Sequence, residues 1–153
     1  MKKILITTGG TGGHVIPAQI LGEHLKDKYK INFSTDLRGF KYLNSNENKI
    51  LVIDTPKLNL NYLFPFKIFK IFFLILKSIF YLKKENINKI ISTGGYMSLP
   101  ICIGAKIIGL KIFLLEPNIV LGKANKFYLN FSEKIICYSN NLKNFPNKFK
   151  NKI

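Results

Sequence analysis

Short apolar runs alternate along the chain with longer stretches in which apolar residues recur every three or four positions. The runs near 3–8, 31–35, 49–54, 88–93, 111–116 and 134–138 read as strands. The stretches near 14–28, 38–46, 66–84, 97–109 and 122–132 read as helices. Strand–helix alternation of this kind predicts βαβ units. The expected class is α/β, a Rossmann-like parallel sheet with helices on both faces. No internal repeat interrupts the pattern. Residues 1–139 read as one domain. Residues 140–153, rich in Asn and Lys and holding Pro146, read as a loosely ordered basic tail.

The first strand runs straight into glycines. Ile4-Leu5-Ile6-Thr7-Thr8 is followed by Gly9-Gly10-Thr11-Gly12-Gly13-His14. A glycine-rich turn between a strand and a helix presents backbone N–H groups to a phosphate. Glycine permits positive φ and lets a ligand approach the backbone closely. The turn is not the dinucleotide fingerprint, because Val15 stands where a third glycine or alanine is required. It is not a P-loop either, since no Gly-Lys-Ser/Thr follows. His14 is one of two histidines in the chain. An imidazole at the mouth of such a turn is a candidate general base. The blander alternative for His14 is a helix cap or a surface residue.

Two further strand ends carry chemistry. Lys89-Ile90-Ile91-Ser92-Thr93 leads into Gly94-Gly95-Tyr96-Met97-Ser98-Leu99-Pro100. The strand at 111–116 ends on Glu116-Pro117-Asn118, followed by Gly122 and by Asn125-Lys126. In open parallel sheets, ligands bind at the carboxyl ends of the strands. Both glycine turns and Glu116 are therefore expected to line one crevice. Glu116 is one of eight acidic residues, and its strand-end position fits a site better than a solvated face. A salt bridge is its alternative reading, and a plain turn is that of Asn118.

Charge adds a partner class. The net charge is +16, from 24 lysines and arginines of which only Arg38 is arginine. Such a charge suits a phosphorylated substrate or an anionic membrane surface. Codon bias toward Lys, Asn and Ile accounts for part of it. Scarcity of arginine argues against base readout, so nucleic acid is not expected as a partner. Within 64–84, Lys67, Lys70, Lys77 and Lys84 share a stripe about 120° wide at 100° per residue. The remainder, including Phe72 and Phe73, is almost wholly apolar. A core-facing helix needs an apolar stripe of roughly 100°, and this arc is about twice that. The excess predicts membrane contact through Lys67, Lys70, Phe72, Phe73 and Lys77. A helix buried on two sides, under the loop at 55–65, is the alternative.

Cys102 and Cys137 have no metal-site spacing and read as reduced core residues of a cytoplasmic protein. Met1-Lys2-Lys3 does not open a signal peptide, and no run of eighteen apolar residues exists to span a membrane. No Asp-x-Asp pair, a spacing that can hold a metal ion, is present. Neither a metal nor a cofactor is expected.

The three strand-end motifs together resemble one family. Gly9 to Ala18, Gly94 to Pro100, and Glu116-Pro117-Asn118 with Gly122 and Asn125-Lys126 are similar to the MurG family. They occur in that family's order and at its intervals. The resemblance implies a GT-B glycosyltransferase, of which this chain would be the N-terminal, acceptor-side half. It implies peptidoglycan synthesis at the cytoplasmic face of the inner membrane, with the protein bound peripherally. N-acetylglucosamine would pass from UDP-N-acetylglucosamine to undecaprenyl-linked lipid I, with inversion, giving lipid II. Two positions depart from the pattern: Leu115 and Pro117 stand where the family usually has His and Gln.

The resemblance also implies roles. Catalysis would involve His14, as base or as the group that orients the acceptor hydroxyl, with Glu116 as a further site residue. Thr11, Gly12, Gly13, Tyr96 and Asn118 would bind substrate. The glycine turns at Gly10, Gly94 and Gly95 would take the acceptor diphosphate. Motifs for uridine and ribose are missing, so the chain alone is expected to be inactive. A separate donor-binding domain is a possible partner. Two alternatives stay open. One is a non-catalytic membrane-docking subunit that recruits a donor-binding chain. The other is a truncated or decayed reading frame.

Overall fold

The computed structural model describes residues 1–43, 48–57, 62–138 and 142–153. Among the described residues six strands form one sheet: β1 (Lys3–Thr7), β2 (Lys30–Thr35), β3 (Lys49–Val52), β4 (Ile87–Ser92), β5 (Lys111–Glu116) and β6 (Lys134–Cys137). The order is β3-β2-β1-β4-β5-β6, and every pairing is parallel. The order reverses between β1 and β4, which makes the carboxyl ends of these two strands the switch point. The expected Rossmann-like α/β sheet is the one observed.

Parallel strands covered on both faces are apolar along their whole length. Alternation along β1 shows how the two cores divide. Leu5 packs with Ile90, Ile101, Ile112 and Leu114 on one face. Ile4 and Ile6 pack with Val15, Ala18, Ile31 and Phe33 on the other. Helix α1 (Gly12–Leu25) covers the second face through Val15 and Ala18. Helices α3 (Phe64–Lys84), α4 (Leu99–Ile107) and α5 (Lys123–Tyr128) cover the first through Leu82, Ile101 and Tyr128. Gly104 lets α4 approach α3: a Cβ there would lie 3.2 Å from Ile79 and 3.4 Å from the Ile75 carbonyl.

Helices α2 (Leu37–Phe40) and α5 depart furthest from their expected lengths, and α4 is also shorter than the expected 97–109, with Tyr96–Ser98 before it forming a 3-10 turn. Helix α2 is four residues long, where the pattern predicts 38–46. Gly39 is a weak helix former, and positions 44–47 lie outside the described residues. Helix α5 stops at Tyr128, four residues before its expected end at 132, where the chain tightens into turns. Proline marks two starts, with Pro65 and Pro100 in the first turns of α3 and α4. The loop at 55–65 is described only in part, since 58–61 lie outside the described residues.

Of the segment read as a loose tail, 140 and 141 also lie outside the described residues. Residues 142–153 make specific contacts. Leu142 is buried in the core cluster of Leu5, Ile90 and Ile101, and Phe145, Phe149 and Ile153 are partly buried against that cluster. The Lys152 ammonium donates to the carbonyls of Leu129 (2.7 Å) and Ser132 (2.6 Å). Four apolar side chains, Leu142, Phe145, Phe149 and Ile153, spaced through an otherwise polar stretch supply that attachment.

Candidate functional site

The turn between β1 and α1 is held from below by Asp36, the residue that follows β2. Asp36 is buried, and its Oδ1 accepts from the N–H of Gly10 and of Gly39, each at 2.9 Å. Its Oδ2 accepts from Arg38 Nε at 2.9 Å. Gly10 has φ +88°, a value that favours glycine. Gly9 has no room for a side chain, because a Cβ would lie 2.8 Å from Met97 Cγ. Burial disfavours charge on Asp36. The two backbone N–H groups and the Arg38 guanidinium outweigh it and hold the carboxyl below the usual aspartate range.

A depressed carboxylate pKa stabilises the fold fully above the unfolded value of about 3.9, and the gain is lost as pH falls through the folded value. Asp36→Asn is therefore expected to lower the melting temperature at neutral pH. It should also flatten the acid decline below about pH 4. Parallel acid limbs for the two proteins in a pH series of thermal melts would rule this out.

The second glycine turn follows β4 on the adjacent strand. Gly94 and Gly95 have φ +91° and +80°. Gly94 N–H donates to Ser92 Oγ at 3.1 Å. The Ser98 hydroxyl donates to the Gly95 carbonyl at 2.7 Å and lies 3.0 Å from the Tyr128 hydroxyl. The two turns are tied together. Thr93 N–H donates to the Thr7 carbonyl (3.1 Å), and the hydroxyls of Thr93 and Thr8 lie 2.8 Å apart. Both glycine turns thus leave the same edge of the sheet, as expected.

Glu116 ends β5 at that edge and is fully buried. Oε1 accepts from Asn118 N (3.2 Å) and Nδ2 (2.9 Å). Oε2 accepts from Gly122 N (2.9 Å) and Asn125 Nδ2 (3.0 Å). Four donors occupy the carboxylate, about as many as its lone pairs take. Glu116 therefore organises the loop from 117 to 125. That loop brings Asn125 against Gly94, where a Cβ would lie 3.1 Å from Asn125 Nδ2.

A cleft of about 490 Å³ opens among these elements. Its walls include His14, Gly94, Gly95, Tyr96, Glu116, Asn118 and Lys123. His14 sits in the first turn of α1, and its Nδ1 is buried with no hydrogen-bond partner among the described residues. Thr11, Gly12 and Gly13 adjoin His14 at the helix start, outside the cleft lining; Thr11 and Gly13 are exposed. Gly10 lies beside Asp36 and Arg38. Leu115, one position before Glu116, faces the other way. It packs on the α1 side of the sheet and not in the cleft.

Lys67, Lys70, Phe72, Phe73 and Lys77 do not line the cleft. Helix α3 buries Ile71, Ser78 and Leu82 and leaves Phe66, Phe69, Phe72, Phe73 and Phe80 exposed. Lys70 and Lys77 are exposed, and Lys67 is half-buried. Among the described residues no helix is long and apolar enough to cross a membrane. Cys102 is buried in the core beneath the second turn; burial pushes its thiol up to about 12, against hydrogen bonds with Ser92 and Ser98. Asp36, Arg38 and Lys123 were not singled out by the sequence pattern. A signal existed for Asp36, a scarce acid just after an apolar strand, the same signal that marks Glu116.

Residues 4–137 match the family model described as the glycosyltransferase family 28 N-terminal domain. The chain belongs to glycosyltransferase family 28. Within the family, it is 52% identical over 153 residues to a transferase of Pelagibacter ubique (strain HTCC1062). That relative is named UDP-N-acetylglucosamine–N-acetylmuramyl-(pentapeptide) pyrophosphoryl-undecaprenol N-acetylglucosamine transferase, and the match covers 99% of this chain and 43% of the relative. The transferase of the same name from Rickettsia felis (strain ATCC VR-1525 / URRWXCal2) is 39% identical over 155 residues, with 100% and 42% covered. The chain thus spans less than half the length of these family members, the N-terminal part. In fold it is similar to Acinetobacter baumannii MurG, with a TM-score of 0.81 at 23% identity over 95% of this chain and 43% of that one. The S. aureus MnaA–UDP co-structure gives a TM-score of 0.68 at 15% identity, covering 93% and 40%.

Proposed function

We propose that this domain is the acceptor-binding half of an inverting N-acetylglucosaminyltransferase. The donor is UDP-N-acetylglucosamine, and the acceptor is lipid I, whose muramyl C4 hydroxyl becomes glycosylated to give lipid II. The observation that carries the reading is the cleft itself. The second glycine turn, an asparagine and His14 at the end of the first turn line it in a family 28 domain, and the buried His14 Nδ1 has no hydrogen-bond partner among the described residues.

The chemistry follows from these groups. The hydroxyl oxygen attacks the anomeric carbon from the face opposite the nucleotide. Its proton passes to the His14 imidazole, and the bond to UDP breaks with the electron pair leaving on the diphosphate. Backbone N–H groups of the turns and the start of α1, which Thr11 does not cap with its side chain, favour the diphosphate charge. Tyr96 and Asn118, which line the cleft, orient the sugars. Glu116 acts as a positioning residue, since its oxygens are occupied by the loop that carries Asn118. Helix α3 docks the domain on the anionic cytoplasmic face of the inner membrane, where the lipid acceptor resides.

The test is a transferase assay on lipid I, run with the chain alone and then with the C-terminal half of a family member added. Orientation of two substrates in a closed cleft contributes much of such a rate. The chain alone is expected to show little turnover, and the pair should transfer sugar. Robust turnover by the isolated chain would refute the half-enzyme reading. Transfer by the pair that ignored this domain's site would leave it only a docking role.

A further inference from the structure

We propose that Arg38 is the side-chain anchor for a substrate diphosphate held between the two glycine turns. The proposal rests on the diphosphate-substrate reading above and adds a residue that neither the motifs nor the family match assigned.

Arg38 is the single arginine among 24 lysines and arginines. It stands at the carboxyl edge of the sheet, just after β2. Its Nε is tied to Oδ2 of the buried Asp36, which fixes the guanidinium from one side. Its Nη2 lies 3.3 Å from the Tyr96 hydroxyl and 4.0 Å from Met97 Sδ, both on the second turn. On the other side, a Cβ placed on Gly10 would be 3.7 Å from Nη2, so the guanidinium lies beside the backbone of the first turn. The turns themselves are adjacent, since a Cβ on Gly95 would be 3.8 Å from the Gly9 carbonyl oxygen. Arg38 therefore bridges the two glycine turns, and half of its side chain remains exposed.

Guanidinium chemistry suits this place. Nε–H donates to Asp36 and Nη2 donates to the Tyr96 hydroxyl, and the remaining N–H donors of the planar guanidinium fork are left to pair with phosphate oxygens. An ammonium on a flexible stem does not reproduce that fork. Asp36 cancels the net charge of the pair, and Asp54 is the other carboxylate whose field Arg38 feels. The anchor thus works by directed donors more than by bulk charge. Glycine supplies backbone N–H groups nearby with no side chain in the way. Asp36 holds Gly10 and Arg38 with one carboxylate, so the turn and the fork are placed as a unit.

A diphosphate occurs in both substrates of the proposed reaction, the lipid-linked acceptor and the sugar nucleotide. Two titrations separate these sources. The 153-residue chain is titrated calorimetrically with farnesyl diphosphate and, separately, with UDP-N-acetylglucosamine. Arg38→Gln is expected to weaken one of them about tenfold or more, the scale of lost hydrogen bonds to a charged group. The ligand affected identifies the source. Affinity for farnesyl monophosphate should fall less, a contrast that a general fold defect would not produce. Arg38→Lys keeps the charge opposite Asp36 and should restore only part of the affinity. Wild-type affinities in folded Arg38→Gln or Arg38→Lys, with Gly95→Ala still weakened, would overturn the role of Arg38 and spare the diphosphate reading. If the wild-type chain binds neither ligand, both fall.

Discussion

Replacing His14 by alanine is expected to cut N-acetylglucosamine transfer by about a hundredfold or more, the usual scale for a lost general base. The assay is the two-half system, because the chain covers 43% of its relative's length. The geometry makes the loss specific. His14 lies in the first turn of α1 and borders the cleft, with Nδ1 unpartnered among the described residues. The side chain therefore has little structural work to lose. A folded His14→Ala domain should keep its melting temperature while kcat falls. Restored transfer that ignored the substitution would remove the histidine from the mechanism and favour a domain that only docks and binds. By contrast, Glu116→Ala should act through stability as well. It strips the acceptor from two backbone N–H groups and two side-chain amides, and each buried donor left unpaired costs about 1–3 kcal/mol. A difference between the two melting curves separates the reacting residue from the positioning one.

Vesicles rich in anionic lipid are expected to bind the chain, and the double change Phe72→Ser and Phe73→Ser to weaken that binding by roughly ten- to a hundredfold. Both rings are about half exposed, 54% and 53%, so their loss removes apolar surface from an outer face and not from the core. The buried stripe of α3, Ile71, Ser78 and Leu82, stays intact. Lys67, Lys70 and Lys77 flank the ridge, and each lysine near an anionic surface contributes about 1 kcal/mol, a gain that salt screens. Binding should therefore decline as salt rises, with the apolar part remaining. Sedimentation with vesicles at low salt decides the matter. Absence of binding there, or equal binding by the double variant, would return α3 to the role of a partly covered surface helix.

Much of the site was legible because it is written in local patterns. An apolar run ending in glycines needs no partner to announce a strand-to-helix turn, and two such ends occur, at β1 and β4, while β5 ends on the scarce acid Glu116. Parallel alternation then requires all three ends to share one edge. The outward Phe72 and Phe73 were legible for a similar reason, since an apolar arc wider than one packing face has to leave part of itself uncovered. The four-residue α2 was not legible beyond its start. Its extent depends on Asp36 accepting from Gly39 and on Gly39 fitting under Thr35, contacts that no helical periodicity encodes.

The sequence by itself determined the class of sheet, the edge at which the site lies and the residues of its three motifs, because periods of two and of three to four residues are intrachain and short-range. Tertiary structure alone decided which of those residues face a ligand and which hold the loops. Glu116 and Leu115 differ by one position and face opposite sides of the sheet. Gly10 and Asp36 are 26 residues apart and share a hydrogen bond. Arg38 and Tyr96 are 58 apart and come within 3.3 Å. Contacts of that span depend on strand order, and strand order is set when the β1–β4 switch point forms and brings β2, β1, β4 and β5 side by side.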